Sequence, residues 1–488
     1  MQGIRGSMTR RGALRAGAAA AGVAAVGWTL AGCAGGAANT ASSSAAAPLP
    51  VISGMRVPFQ LWVPGLPFSK EVINLVQQFT DQSFNAKHKG INAVWVGGGN
   101  MQGVATDVLA GTMTQTPWVV ASCCADWPII QPFLARLDPY LKKDNIDIAS
   151  TWHPGQLSRF REPDGLYGLP EDAESDAYLY RQDILDQLGL AYPDPTWDWQ
   201  QAQTIWQACT GHTGKNGWRY GVACPFGQGT TEGVPTVVAG FGGAYQNAQR
   251  TRCLLDQPQA IAAGDYWIHM VWDKVATNGD GVPNPGIWNG SVVFSTGADP
   301  TILQAVQHLG SSAKWDFLPW PRFPARSVGK LHDNFYGMLQ AAPHPEIAWE
   351  VLKWAAIEPE WQRFYMKLAL APPALASLLQ EWFTVIRSVA PVLKNKHLEY
   401  WAQPTLAGDG VYDFEFFKYS PVQANDVLSA EWSKIWTRQT TVSAGFRSIA
   451  QQINALEASG KVQQANLASV NKEFPTKGSP IAAVQPGL

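Results

Sequence analysis

The chain has 488 residues, of which 36 are basic and 38 acidic, and its net charge is −2. A near-neutral, slightly acidic balance argues against nucleic-acid binding, which needs a basic surface. The body that follows the N-terminal region has about 435 residues, enough for two or three domains.

An export signal is predicted at the N-terminus, over residues 1–33. Arg10 and Arg11 precede an apolar stretch, Ala16–Leu30, that is rich in Ala and Gly. A basic segment before a short apolar one is typical of a signal peptide, and about 15 residues are too few for a membrane span. The paired arginines resemble a twin-arginine signal, with the general secretory route as the alternative.

The apolar stretch ends in Leu30-Ala31-Gly32-Cys33, which resembles the lipobox of bacterial lipoproteins. We therefore expect Cys33 to be lipidated and to anchor the chain on the outer side of the cell membrane; an ordinary signal peptide with a chance cysteine is the alternative. Residues 34–55 are mostly Ala, Ser and Gly and are predicted to form a flexible tether. Removal of the signal removes four arginines and no acid, which leaves a net charge of −6.

The body begins with alternating strand and helix patterns. Val57–Val63 is predicted to be a strand, and Ser69 to cap a helix whose apolar residues recur at helical spacing. Ile91–Val96 and Trp118–Ala121 are predicted as the next strands. This order favours a parallel sheet with crossover helices. The glycines at 97–99 are not followed by the Lys-Ser/Thr of a phosphate loop.

Further elements are predicted along the rest of the chain. Thr196 and Asp256 are predicted to cap helices, Pro345 and Ser443 to begin helices, and residues 291–295 to form a strand. The region after about residue 472, 473–488, is predicted to be a frayed tail.

Five cysteines remain in the body, so at least one is predicted to be unpaired within the chain. Their pairing is left open by the sequence: Cys123, Cys124, Cys209, Cys224 and Cys253. Cys123-Cys124 lacks a histidine or a second cysteine pair at ligand spacing, so we interpret it as two small side chains at a strand end. We expect no metal and no cofactor.

Several motifs, in order, resemble the bacterial extracellular solute-binding proteins of family 1, the maltose-binding-like group. The resemblance covers roughly residues 56–460. It rests on Leu137-Asp138-Pro139-Tyr140-Leu141, Tyr167-Gly168-Leu169-Pro170, Pro195-Thr196-Trp197-Asp198, Gly240-Phe241-Gly242-Gly243, the helix pair around Trp349 and Trp361, and Ala371-Pro372-Pro373.

The resemblance implies an α/β fold of the periplasmic-binding-protein type II class, with two lobes, a ligand cleft and a hinge between them. The expected N-terminal lobe is 56–172 plus 332–370, and the expected C-terminal lobe is 173–331 plus 371–472. Ligands of open α/β sheets bind beyond the carboxyl ends of the strands, which places the loops after strands at the cleft.

The predicted ligand-binding residues are aromatic or acidic side chains. Four of them end or follow predicted strands, the resemblance implies Glu232 and Trp382, and Tyr336 is a further aromatic candidate. In each case a core aromatic or an ordinary loop carboxylate is the alternative. They are Trp62, Asp126, Trp127, Glu232, Asp299, Tyr336 and Trp382.

The predicted function is capture of a sugar or oligosaccharide for the permease subunits of an ABC importer, by a monomer. A secreted carbohydrate-active enzyme and a surface-anchored scaffold or adhesion module are the alternatives. Four carboxylates between Glu171 and Asp176 are neighbours on one segment, whereas a glycosidase needs two carboxylates across a cleft. We interpret them as a solvated segment near the hinge, and no catalytic residue is predicted.

Overall fold

The structure is a computed structural model that describes residues 55–61, 70–97, 101–112, 118–153, 155–213, 217–226, 232–277, 286–297, 300–332, 334–341, 343–407 and 410–473. The predicted signal (1–33), all but the last residue of the predicted tether and most of the predicted tail lie outside the described residues. The described residues all belong to one compact unit.

The strands are short, and most are paired in one of two five-stranded sheets. They are β1 Met55–Leu61, β2 Ile91–Gly97, β3 Val119–Ser122, β4 Arg161–Glu162, β5 Gly165–Leu166, β6 Leu169–Pro170, β7 Tyr178–Arg181, β8 Gly211–His212, β9 Trp218–Val222, β10 Val292–Ser295, β11 Trp315–Leu318, β12 Lys330–Leu331, β13 Phe335–Met338 and β14 Val411–Tyr412.

The helices cover the sheets and supply most of the chain after β13. They are α1 Lys70–Thr80, α2 Met101–Leu109, α3 Trp127–Ile130, α4 Asp138–Lys143, α5 Ile148–Thr151, α6 Gln182–Leu188, α7 Trp199–Cys209, α8 Val234–Gly240, α9 Pro258–Trp272, α10 Gly286–Asn289, α11 Pro300–His308, α12 Pro345–Ala356, α13 Pro359–Ala369, α14 Leu379–Val389, α15 Glu399–Ala407, α16 Pro421–Trp436 and α17 Val442–Glu473.

The first sheet has the order β2-β1-β3-β13-β6. β1 pairs in parallel with β2 and β3, and β13 runs antiparallel to β3 and β6. The predicted parallel start of the sheet, with a helix between its first two strands, is therefore confirmed. Helices α1, α2, α12 and α13 contribute to the hydrophobic core of this sheet.

The second sheet has the order β11-β7-β10-β9-β8. β10 is parallel to β9, and β7 is antiparallel to both β10 and β11. One face packs on a core that includes α7, α9, α16 and α17. A third core, around α11, α14 and α15, includes Leu179 of β7 and Phe317 of β11.

The chain passes between the two sheets at three places. The segment after β6 leads to β7, the segment after β11 leads to β13, and residues 370–378 lead from α13 to α14. An isolated bridge joins Asp172 to Pro373, so the first and third passages lie side by side. The exact lobe boundaries stay a prediction.

Local sequence explains where the helices begin, with two corrections. α7 is capped by Asp198, whose carboxylate accepts from the backbone N–H of Gln200 and Gln201 in a capping box, and not by Thr196. α9 begins at Pro258, because a proline at the first helical position loses no hydrogen bond. The N-cap is Gln257, so the predicted cap at Asp256 is wrong. The prediction that Pro345 begins a helix is confirmed.

The described residues contain no helix that is both long and apolar enough to cross a membrane.

Candidate functional site

A cavity of about 730 Å³ lies between chain segments that belong to different hydrophobic cores. One wall is formed by Trp127 and by residues 158, 159 and 161–163, which flank Phe160 of the first core. The other wall is formed by residues 246–250 and parts of 412–418, next to Tyr245 and Phe417 of the second core. The cavity is therefore positioned to take a ligand between the two sheet-containing parts of the body.

Trp127 connects the first core to this cavity. Its ring lies edge-on to Phe335 at 5.1 Å and tilted against Phe160 at 5.2 Å, and the side chain is only 2% exposed. No described group accepts a hydrogen bond from its buried indole N–H. Trp127 is thus a core residue whose ring also lines the cavity, and its contact with a ligand stays a prediction.

The opposite wall is held in place by a tight turn at Asn247. The side-chain oxygen of Asn247 accepts from the backbone N–H of Thr251 at 2.8 Å and of Arg252 at 3.0 Å. This turn holds Arg250 at a φ of 59°, a left-handed conformation that is costly for a residue with a β-carbon. The strained backbone directs the Arg250 side chain to the cavity wall.

An ion pair links the two walls. The Arg250 guanidinium donates to both carboxylate oxygens of Glu162, one of them at 3.2 Å. The two side chains are 32% and 13% exposed, so neither is withdrawn fully from water. A bidentate pair that remains partly solvated can exchange its partners for the hydroxyl groups of a ligand.

Aromatic rings and a second arginine line the same cavity. The Arg159 guanidinium lies 5.1 Å from the ring centre of Tyr412 and 5.0 Å from that of Phe416, and it donates to the backbone oxygen of Phe414. The Tyr412 hydroxyl donates to the backbone oxygen of Gly155 at 2.6 Å, which adds a second contact between the walls.

Glu415 is half-buried at the cavity. Burial raises its pKa to about 6, although Arg159, a hydrogen bond from Gln246 and Arg250 act in the opposite direction. Four basic residues and two acidic residues line the cavity: Arg159, Arg161, Arg250, Lys418, Glu162 and Glu415.

The four carboxylates at 171–176 occupy the first passage between the sheets, and they are buried, so the prediction of a solvated segment is wrong. Asp172 and Glu174 both accept from the side-chain amide of Asn334, at 2.9 and 3.1 Å. Asp176 accepts from the indole of Trp320 at 2.6 Å. Burial raises the pKa of Asp176 to about 7, against the opposing charge of Lys330.

Lys330 compensates this buried charge. Its ammonium lies 3.0 Å from Glu232 and 3.4 Å from Asp413, and its side chain is 1% exposed. Burial alone would lower the pKa of Lys330, but Glu232, Asp413 and Asp176 together hold it above its ordinary value. We call this set, residues 171–176 with 232, 330, 332, 334 and 413, the hinge cluster.

Three predicted ligand-binding residues have other roles. Glu232 belongs to the hinge cluster through its ion pair with Lys330. Tyr336 is fully buried in β13, where its hydroxyl accepts from the indole of Trp361 at 2.8 Å. Trp382 is fully buried in the third core and donates to the backbone oxygen of Leu370 at 3.2 Å. For Tyr336 and Trp382 the prediction of a ligand contact is wrong, because burial leaves no face of the ring for a ligand.

The remaining predicted residues are placed differently. Asp126 follows β3 and accepts from the Ser122 hydroxyl at 2.5 Å; it is partly buried, which raises its pKa, and it does not line the cavity. Trp62, Asp299 and Cys33 lie outside the described residues, so their roles stay predictions.

Sequence reasoning missed the basic and aromatic residues of the cavity, Arg159, Arg250, Tyr412 and Phe416. Arg159 and Tyr412 are more than 250 positions apart, and no local pattern marks either. The Asn247 turn was the available signal, since Asn favours tight turns with left-handed residues.

A second cavity, of about 660 Å³, is lined by residues 195–197, 319–322, 327–329 and parts of 400–407, with Asp176. These residues adjoin the second and third cores and not the first. The second cavity therefore does not lie between the two sheets.

Comparisons with known proteins agree with this architecture. The family model of the bacterial extracellular solute-binding proteins matches residues 69–360, which is more than half of the chain. No curated protein sequence matches the chain.

Solved structures with the same fold include three sugar-binding proteins. An ABC substrate-binding protein from Listeria monocytogenes, in complex with cycloalternan, has a TM-score of 0.65 and 16% identity, over 83% of this chain and 98% of that one. The sugar-binding protein MalE from Xanthomonas citri has a TM-score of 0.65 and 13% identity, over 84% and 98%. The cyclic alpha-maltosyl-1,6-maltose binding protein of Arthrobacter globiformis has a TM-score of 0.65 and 15% identity, over 83% and 98%.

These likenesses establish the two-lobe fold of the periplasmic-binding-protein type. The family match adds the general function of binding a solute outside the cytoplasm, and the enzyme and scaffold alternatives are not favoured. The two sheets, their separate cores, the three connecting passages and the family match lead to one conclusion: the chain belongs to the bacterial extracellular solute-binding protein family.

Proposed function

We propose that this protein is the substrate-binding component of an ABC importer, and that it captures a sugar or oligosaccharide in the cavity between its two lobes. The observation that carries the proposal is the cavity itself, whose two walls belong to different cores and are joined by the Glu162–Arg250 pair. Closure of two lobes on a ligand is a known hinge motion. Of the similar structures, one is an ABC substrate-binding protein in complex with cycloalternan and another is a sugar-binding protein.

The side chains of the cavity suit a carbohydrate. The apolar C–H face of a sugar ring packs on aromatic rings such as Tyr412 and Phe416, and each Å² of apolar surface removed from water contributes about 25 cal/mol. The hydroxyl groups of the sugar can bond to Glu162, Arg250 and Asn247, which lie at the same cavity.

We also propose that the protein binds without catalysis. Retaining and inverting glycosidases place two free carboxyl groups on opposite sides of the sugar bond. In this cavity Glu162 is paired with Arg250, and Arg159 and Arg250 are charged neighbours of Glu415. Burial raises the pKa of Glu415, as in a general acid, but Glu162 is held by Arg250 and is not free to act as the second carboxyl group.

We further propose that the protein is exported by the twin-arginine route and anchored through a lipid on Cys33. Its proposed partners are permease subunits, and the binding protein itself is proposed to be a monomer. The support is the signal-like sequence that ends in Leu-Ala-Gly-Cys. A Cys33→Ala variant should leave the membrane fraction and appear in the medium or periplasm. A processed variant that still sediments with membranes would contradict the anchor.

The ligand class can be tested by thermal unfolding of the body from Leu49 against mono- and oligosaccharides, with peptides and nucleosides as comparison compounds. A ligand at 100 times its dissociation constant adds about 2.7 kcal/mol of stability. We expect stabilisation by at least one carbohydrate. Stabilisation by peptides or nucleosides and by no carbohydrate would contradict the proposal.

A further inference from the structure

A second group of side chains gathers at the end of β3, where the sequence predicted only two small strand-end residues. The sulfur atoms of Cys123 and Cys124 lie 3.8 Å apart, and the Nε2 atom of His332 lies 3.3 Å from the Cys123 sulfur. One ligand atom from each of the three residues lies within 4.8 Å of the other two. His332 is 209 positions from Cys123, which is why the sequence could not reveal it.

These separations fit one metal ion. With Zn–S bonds of about 2.3 Å and a Zn–N bond of about 2.0 Å, a tetrahedral ion separates two sulfur ligands by about 3.8 Å and a sulfur from a nitrogen by about 3.5 Å. A disulfide would need the two sulfur atoms about 2.05 Å apart. The observed spacing excludes a disulfide, and it is the spacing at which two thiols can share one ion without moving.

A second observation points the same way. The Nδ1 atom of His332 lies 2.6 Å from a carboxylate oxygen of Asp413, so the ring N–H faces Asp413 and Nε2 is left to bind a ligand. Metal-binding histidines are held in this way by a carboxylate on the opposite ring nitrogen. Asp413 is itself fully buried and lies 3.4 Å from the Lys330 ammonium, which fixes its position.

The chemistry of the set selects the ion. Two thiolates and one imidazole favour a thiophilic ion such as Zn²⁺ over Mg²⁺ or Ca²⁺, which prefer oxygen ligands. Two thiolates also balance the charge of a divalent ion, which makes its transfer into a mostly buried site less costly. Three protein ligands leave a fourth position for water or for a group of the solute.

We propose that Cys123, Cys124 and His332 form a Zn²⁺ site, with Asp413 as the positioning residue of His332. The site ties the end of β3 in the first sheet to the passage that leads from the second sheet to β13. The bound ion would thereby hold the hinge cluster in the arrangement seen here. The proposal does not depend on which solute the protein binds.

Cobalt titration tests the site directly. The body from Leu49, reduced and freed of metal, should bind one Co²⁺ with a thiolate-to-cobalt charge-transfer band, and Zn²⁺ should displace it. Cys123→Ala and Cys124→Ala should each abolish the band. Cys224→Ala is the matched control, since Cys224 is a buried cysteine of the second core, and it should keep the band.

Asp413→Asn should weaken Zn²⁺ binding by about 10- to 100-fold while the charge-transfer band remains at saturating Co²⁺, as expected of a group that acts through the histidine. Absence of the band in the wild type, or its persistence in Cys123→Ala, would overturn the proposal. Protein purified without reductant offers a further test. If two free thiols are lost there to a Cys123–Cys124 disulfide, and if the reduced protein then binds no metal, the proposal is overturned as well.

Discussion

The charged residues of the hinge cluster and those that line the cavity differ in their access to water. In the hinge cluster Lys330 is 1% exposed and lies close to two carboxylates, Glu232 and Asp413. At the cavity the Glu162–Arg250 pair keeps 13% and 32% of its side-chain surface exposed. Charges that are fully buried and fully paired, as in the hinge cluster, stabilise the fold. Charges that stay partly exposed, as at the cavity, remain able to bind a ligand.

The largest difference is expected from removal of a charge in the hinge cluster. Lys330→Met leaves Glu232 and Asp413 without their buried cation, and breaking a buried pair costs about 3–5 kcal/mol. Denaturant unfolding of the body measures this loss.

Lys87→Met is the matched control, because Lys87 pairs with Glu360 on the surface, with 58% and 38% of the side chains exposed. Exposed pairs contribute about 0–1 kcal/mol. If the two variants lose the same free energy of unfolding, the charges of the hinge cluster contribute no more to stability than solvated charges do.

The opposite pattern is expected at the cavity. Arg250→Ala should cost less than about 1 kcal/mol of stability, since its pair is partly solvated. It should weaken binding of the carbohydrate found by thermal screening at least about tenfold, because hydrogen bonds to a charged group contribute about 1.5–3 kcal/mol. Titration calorimetry measures the affinity.

Arg322→Ala is the control for this variant, because Arg322 is an exposed arginine at the second cavity. It should leave the affinity unchanged. Weaker binding in Arg322→Ala and normal binding in Arg250→Ala would move the ligand to the second cavity.

A smaller effect is expected from Glu415, through pH. Its pKa is about 6 in the folded protein, above its ordinary value of 4.5, so the folded state binds the proton more tightly than the unfolded state does. The stability contributed by its protonation is complete below about pH 4.5 and is lost as the pH rises through 6. Glu415→Gln should flatten this part of the stability profile by up to about 2 kcal/mol, measured by unfolding between pH 4 and 7. An unchanged slope would show that Glu415 is solvated.

The sequence predicted the fold well where local periodicity was decisive. In α7 the residues Ala202, Trp206 and Cys209 recur at helical spacing, and all three are buried. The parallel start of the first sheet followed from the alternation of short apolar strands with an amphipathic helix. Such patterns depend on neighbours in the chain, and those neighbours are visible in the sequence.

The site was predicted less well, because its contacts join distant parts of the chain. A run of acids such as 171–176 is usually solvated, and only the structure shows that Lys330 and Asn334 accompany it into the interior. Trp382 and Trp127 each follow an acidic residue in the sequence, yet one is a core residue alone and the other also reaches the cavity. Aromatic periodicity is the same for a core and for a binding face.

The central claim is that a solute binds between two lobes that close on it, and small-angle scattering tests it most directly. The body from Leu49 should be measured alone and with a saturating amount of the carbohydrate found by thermal screening. We expect the radius of gyration to decrease when the solute is added, because closure brings the two sheets together. An identical scattering profile at saturation would contradict closure between the lobes.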